Sequence, residues 1–189
     1  MILNPIFSID NYHQEKFGCK HPKIQRGWGQ IYDVIFNELG DKIDVITEIG
    51  IGNASCQLAW ARTFPGKKIV GIEISREGFE GARTNARINQ IGNSQFFLGD
   101  ASSIFDELKE ISEPAALVID PPRRGCDPDF LRQAIEFGPQ RIVYVSCDPA
   151  TQARDSQILL EAGYQPILAQ PFDLFPQTRH VENVLTLVR

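Results

Sequence analysis

Val45-Ile46-Thr47-Glu48-Ile49-Gly50-Ile51-Gly52-Asn53-Ala54 is the stretch that decides the fold. A short apolar run rich in β-branched residues reads as a strand, and the Gly-x-Gly after it ends the run in a turn that other chemistry can approach closely, because no Cβ stands in the way. From Ala54 to Thr63 the apolar spacing becomes helical. The same unit recurs along the chain. Further β-like runs lie at Lys68–Ile74, Gln95–Leu98, Ala115–Ile119, Arg141–Val145, Pro166–Ala169 and Val181–Val188. Helical periodicity fills Arg76–Asn89, Pro128–Phe137 and Pro149–Ala162 between them. Strand and helix alternating in this way predict an α/β fold built on a mainly parallel seven-stranded sheet, with helices on both faces. The last two strands are joined by Gln170–Arg179, a Pro-containing segment with no helical pattern, which predicts an antiparallel final strand. Met1–Lys23 reads as an irregular N-terminal arm. Residues 24–189 read as the α/β domain, entered by a helix around Gln30–Leu39.

The 189 residues suit one core of ordinary size, and 42% hydrophobic with 23% charged residues is a globular composition. No apolar run reaches the roughly 18 to 20 residues of a membrane span, and the first residues lack a signal-peptide layout, so a cytoplasmic protein is expected. Cys19, Cys56, Cys126 and Cys147 form no C-x-x-C pair, so no metal site is expected. The net charge of −5 argues against a chain that grips a polyanion by itself, since phosphate neutralisation by Lys and Arg supplies nonspecific affinity.

In doubly wound sheets, ligands bind beyond the carboxyl ends of the strands. The first strand end offers Glu48, Gly50 and Gly52. Ser55 stands where a dinucleotide fingerprint wants glycine or alanine, which disfavours a nicotinamide cofactor. Glu73, about twenty residues on, can take ribose hydroxyls, and Asp100 after the third strand can take an adenine amino group. Either carboxylate read alone could equally cap the following helix. Taken together, the glycine turn, Glu73 and Asp100 on successive strand ends resemble the S-adenosylmethionine pocket of Rossmann-like methyltransferases, a resemblance that spans Ile43 to Val188.

The fourth strand runs into Asp120-Pro121-Pro122-Arg123-Arg124-Gly125, where two prolines fix the loop direction. Methyltransferases acting on exocyclic amino groups usually carry an aromatic after the prolines, and Arg123 stands there instead. The fifth strand ends Ser146-Cys147-Asp148-Pro149, which sets Cys147 just before a helix capped by Asp148. A cysteine at a helix N-terminus suits a nucleophile, and on residue type alone it also suits a small buried hydrophobe. The tail carries Phe175-Pro176-Gln177-Thr178-Arg179-His180-Val181-Glu182. In this order, D-P-P-R, S-C-x-P and the tail resemble the RNA uracil-C5 (5-methyluridine) methyltransferase family.

That resemblance implies roles. The cysteine matching Cys147 attacks C6 of uracil, and the glutamate matching Glu182 removes the C5 proton. The aspartate matching Asp120 lies against base and cofactor. The implied cofactor is S-adenosylmethionine and the implied partner is RNA, either tRNA or rRNA. Arg123, Arg124, Arg154 and Arg179, all near the proposed catalytic edge, are the expected RNA contacts, although each taken singly equally suits a solvated or helix-pairing role. The sequence departs from the family in three respects. It shows no oligonucleotide-binding barrel or iron–sulfur cysteine cluster, and Gln25 and Gln30 lack the surrounding pattern of the family's F-x-Q-V-N segment. Asp148 replaces an asparagine. An accessory protein supplying RNA affinity is therefore expected. Alternative readings are a methyltransferase of another substrate and a non-catalytic cofactor-binding subunit.

Overall fold

The computed structural model describes residues 29–39, 43–51, 54–100, 105–108 and 115–189. In chain order the elements are α1 (Gly29–Leu39), β1 (Val45–Ile49), α2 (Ser55–Thr63), β2 (Lys68–Glu73), α3 (Arg76–Ile88), β3 (Ser94–Leu98), α4 (Phe105–Leu108), β4 (Ala115–Ile119), α5 (Pro128–Phe137), β5 (Arg141–Ser146), α6 (Pro149–Glu161), β6 (Gln165–Phe172) and β7 (Glu182–Val188). The arm expected over Met1–Lys23 lies outside the described residues, as does Gly52 of the first turn.

The strands form one sheet in the order β3-β2-β1-β4-β5-β7-β6. β1 pairs in parallel with β2 and β4, β2 with β3, and β4 with β5. β7 slots between β5 and β6 and runs antiparallel to both, the finish that the helix-free connection predicts. The strand order reverses between β1 and β4, and such a switch point opens a crevice at the carboxyl edge of the sheet.

Both faces are covered. On one, Ile31, Ile35, Phe36 and Leu39 of α1 and Trp60 of α2 pack over Ile46, Ile69, Val143, Val145 and Val184. On the other, Phe105, Phe130, Leu131, Ala134 and Leu159 pack over Val45, Val70, Leu117, Ile119 and Tyr144. β4 is buried along its whole length, which is why its sequence is a continuous apolar run without alternation.

Helix starts follow local chemistry. Ser75 accepts the Gly78 N–H ahead of α3, while α5 and α6 each open on an Asp-Pro pair whose aspartate caps the first turn. β6 is longer than the sequence indicates, because Pro166 and Pro171 read as strand breakers. An edge strand needs ladder donors on one side only and tolerates both, with an irregular register between Pro166 and Leu168.

Candidate active site

The fold gathers the residues singled out from the sequence along one edge. Gly50 follows β1, Glu73 ends β2, Asp100 lies just past β3, Asp120 follows β4 and Cys147 follows β5. Glu182 begins β7 and reaches the same edge because β7 is antiparallel. The strand-end loops are laced together, with Gly50 N–H donating to Ile72 O at 2.9 Å and Gly99 N–H to Glu73 O at 3.0 Å. Gly50 has φ +79°, a left-handed conformation that glycine adopts without cost.

A cavity of about 530 Å³ opens at the switch point, lined by Ile49, Gly50, Asp100, Ile119, Asp120, the loop residues Pro121, Pro122, Arg124, Gly125 and Cys126, and Asp127, Asp129 and Phe130 at the start of α5. Of the expected residues it therefore brings together Gly50, Asp100, Asp120 and Arg124. Glu48, half-buried on β1, and Glu73 are not part of this wall. Glu73 is 7% exposed and its Oε1 accepts the Ser75 N–H at 2.8 Å, so the turn ahead of α3 fixes one carboxylate oxygen. Sequence reasoning missed Asp127, Asp129 and Phe130. Asp127 caps α5, Asp129 lies in its first turn and Phe130 belongs to its buried face, and only the packing of α5 across the crevice makes them a wall.

One strand further along, Cys147 is half-buried between β5 and α6. Asp148 caps the helix that follows, its Oδ1 accepting the N–H groups of Ala150 at 3.1 Å and Thr151 at 3.3 Å. The antiparallel ladder ends at the Ser146–Asn183 pair, so Cys147, next after Ser146, and Glu182, just before Asn183, lie at the same end of it. Gln152 of α6, buried, braces this corner. It donates to Tyr144 O at 2.8 Å, and its Oε1 accepts from Asn183 Nδ2 at 2.6 Å. Glu182 itself is 4% exposed.

The Asp120 loop meets both neighbours. Arg123 Nη2 lies 3.5 Å from His180 Nε2, which joins the loop to the tail motif. Arg123, Arg124 and Arg179 are exposed. Arg154 is also exposed, yet its guanidinium contacts the Asp155 carboxylate and donates to Arg124 O at 2.8 Å. Among the described residues, no group of His, Cys, Asp and Glu is arranged to hold a metal ion, and no helix is long and apolar enough to cross a membrane.

The model of the tRNA (uracil-5-)-methyltransferase family matches residues 28–189. The chain belongs to this family. An RNA methyltransferase of Oceanobacillus iheyensis is 45% identical over 150 residues, covering 78% of this chain and 32% of that protein. The tRNA (uracil(54)-C(5))-methyltransferase of Schizosaccharomyces pombe is 46% identical over 125 residues, covering 64% of this chain and 24% of that protein. The crystal structure of Pyrococcus abyssi tRNA (uracil-54, C5)-methyltransferase with S-adenosyl-L-homocysteine superposes with a TM-score of 0.67 at 27% identity, over 84% of this chain and 38% of that one. The chain thus spans about a third of the length of the curated relatives it matches.

The family is S-adenosylmethionine-dependent, and the cavity suits that cofactor. It lies within the roughly 300 to 1,000 Å³ of small-ligand sites. Ile49, Ile119 and Phe130 offer apolar surface to a purine, and Asp100, Asp120, Asp127 and Asp129 offer carboxylates to amino groups, hydroxyls and a cationic sulfonium.

Proposed function

We propose that this domain methylates C5 of uridine in RNA, with Cys147 as nucleophile and Glu182 as base. The observation that carries the reading is the β5–β7 register, whose last pair, Ser146 with Asn183, is flanked by Cys147 and the buried Glu182 at one strand end beside the Asp120 loop. Uracil C5 is a poor nucleophile. Attack of the Cys147 sulfur on C6 opens the C5–C6 double bond and moves its electrons toward C5 and O4, so C5 becomes able to accept a methyl group. The bound cofactor supplies that methyl. Glu182 then takes the C5 proton, the C5–C6 double bond re-forms, and the sulfur leaves with the electrons of its bond to C6.

Asp120 serves this scheme as the residue shared by cofactor and base, since it lines the cavity and heads the loop that reaches His180. Glu48, Gly50, Gly52, Glu73 and Asp100 complete the cofactor side. Arg123, Arg124 and Arg179 are the proposed phosphate contacts, and Arg154 adjoins them. The target uridine has to leave its stack to reach Cys147. The relatives named for tRNA uracil-54 make tRNA the first substrate to test, with ribosomal RNA as the alternative, in the cytoplasm. The charge of −5 supports RNA affinity supplied by a further segment or partner protein.

The test separates the two chemical roles. With labelled cofactor and total tRNA or rRNA, Glu182→Gln should accumulate a denaturation-resistant RNA–protein adduct that carries the new methyl group, because an amide cannot accept the proton. Cys147→Ala should give neither adduct nor product, and the double variant should lose the adduct. Full methylation by Cys147→Ala would exclude the covalent route.

A further inference from the structure

Helix α6 presents Thr151, Arg154 and Asp155 on one face, at the i, i+3, i+4 spacing of helical neighbours. All three hold the same loop. Thr151 Oγ1 donates to Arg123 O at 3.0 Å, Arg154 Nη2 donates to Arg124 O at 2.8 Å, and Asp155 Oδ2 accepts the Cys126 N–H at 2.7 Å. Asp155, 1% exposed, is the hub. Its Oδ2 also accepts from the Tyr144 hydroxyl at 2.7 Å, and its Oδ1 accepts from Arg154 Nε at 2.9 Å and Nη2 at 2.6 Å. A buried carboxylate persists only where donors replace water, and here one carboxylate takes four. Gly125 sits against this hub at φ +81°, and a Cβ there would collide with the Asp155 carboxylate and the Arg154 guanidinium. The loop is thus shaped to close on α6 without clearance.

The consequence lies in what each side carries. The clamped loop supplies Arg124, Gly125 and Cys126 to the cavity wall, downstream of Asp120. α6 begins at Pro149, two residues after Cys147. One helix face therefore sets the distance between the cavity and the strand end that bears the thiol. We propose that Asp155 and Arg154 are positioning residues that hold the cofactor-side loop in register with Cys147, so that Arg154 serves cofactor binding rather than RNA. The inference rests on reading the cavity as the cofactor's.

Calorimetry with S-adenosylhomocysteine, on the RNA-free protein and well below each variant's melting temperature, tests it. Arg154→Ala leaves the Cys126 and Tyr144 bonds to Asp155 intact and should weaken binding about three- to tenfold, while Asp155→Asn should weaken it about ten- to a hundredfold, on the scale of lost charge-assisted hydrogen bonds. Gly125→Ala attacks the same contact from the loop side and should reproduce the defect. In turnover assays the KM for the cofactor should rise more than the KM for RNA, whose contacts are shared with Arg179 outside the clamped loop, a split that a change in stability alone would not produce. Wild-type affinity for S-adenosylhomocysteine in folded Arg154→Ala and Gly125→Ala would overturn the clamp. So would a loss confined to RNA affinity in Arg154→Ala. Failure of the wild-type protein to bind S-adenosylhomocysteine would instead remove the cavity reading, and the clamp's role with it.

Discussion

Cys126, in the loop between β4 and α5, and Cys147, directly after β5, are both free thiols, the first buried and the second half-buried. Burial pushes the Cys126 thiol from an ordinary 9.0 up to about 12. The Tyr144 hydroxyl opposes that rise by hydrogen bonding, and the Asp155 charge adds to it. A protonated, buried thiol is a poor nucleophile, so Cys126 should escape iodoacetamide at pH 8 in the native protein and react once the protein unfolds. Peptide mass spectrometry checks this, and equal native and unfolded labelling rates would refute it. The same shift sets a pH window. The folded protein keeps a proton that the unfolded chain releases, so the stability linked to Cys126 is intact below pH 9 and is lost as pH rises towards 12. Tyr144, raised above its ordinary 10.0 mainly by burial, adds to the alkaline loss. Melting temperatures of Cys126→Ala should fall less steeply over that window than those of the wild type. On the cofactor side, Glu73→Ala should weaken cofactor binding by roughly 1 to 3 kcal/mol, the scale of hydrogen bonds to a charged group. Unchanged affinity in the folded variant would move the ribose contact elsewhere. Gly50, Asp100 and Asp120 were legible because strand-end position is written in the local pattern. The Asp155 hub was not, because an adjacent Arg-Asp pair on a helix looks like surface charge until the loop it holds is folded against it.

At the scale of elements, the helix that follows Cys147 depends on its cap. Asp148 satisfies two N–H groups in the first turn of α6, with Pro149 preset for the first helical position. Asp148→Ala should therefore cost about 1 kcal/mol of stability, and Asp148→Asn only a fraction of that, since asparagine caps as well as aspartate. Urea titrations of the two variants decide this, and equal losses would mean that the charge and not the cap matters there. Deeper in the layer, Trp60 is 1% exposed and meets Phe36 edge to face at 6.4 Å between ring centres, holding α1 on the sheet. Trp60→Ala should cost about 3 to 5 kcal/mol. A loss below 1 kcal/mol would show that the site collapses around the smaller residue. Elements with a long apolar run, such as β4 and β5, could be bounded to within a residue from sequence. β6 could not, because its length is set by β7 beside it and not by its own proline-interrupted pattern.

At the scale of the molecule, strand order is where sequence pattern ends and topology begins. Periodicity predicts seven strands, yet the position of β7 between β5 and β6 follows only from how the last two strands close the sheet, and that insertion carries Glu182 to the edge where Cys147 lies. Charge works at the same scale. With 24 acidic against 19 basic side chains, long-range attraction to RNA is weak, and affinity has to come from a few local phosphate contacts. If Arg123, Arg124 and Arg179 are those contacts, each displaces about one counterion from the RNA. A plot of log binding constant against log salt should then have a slope between about −2 and −3, and alanine at any one of the three should make it shallower by about 1. Arg154→Ala should leave the slope unchanged, since its guanidinium is engaged with Asp155. Filter binding of the 189-residue protein to tRNA from 50 to 300 mM salt measures these slopes. Tight binding that persists at high salt would show that this domain recognises RNA by shape or base contacts, and the need for a further RNA-binding segment or partner would fall away.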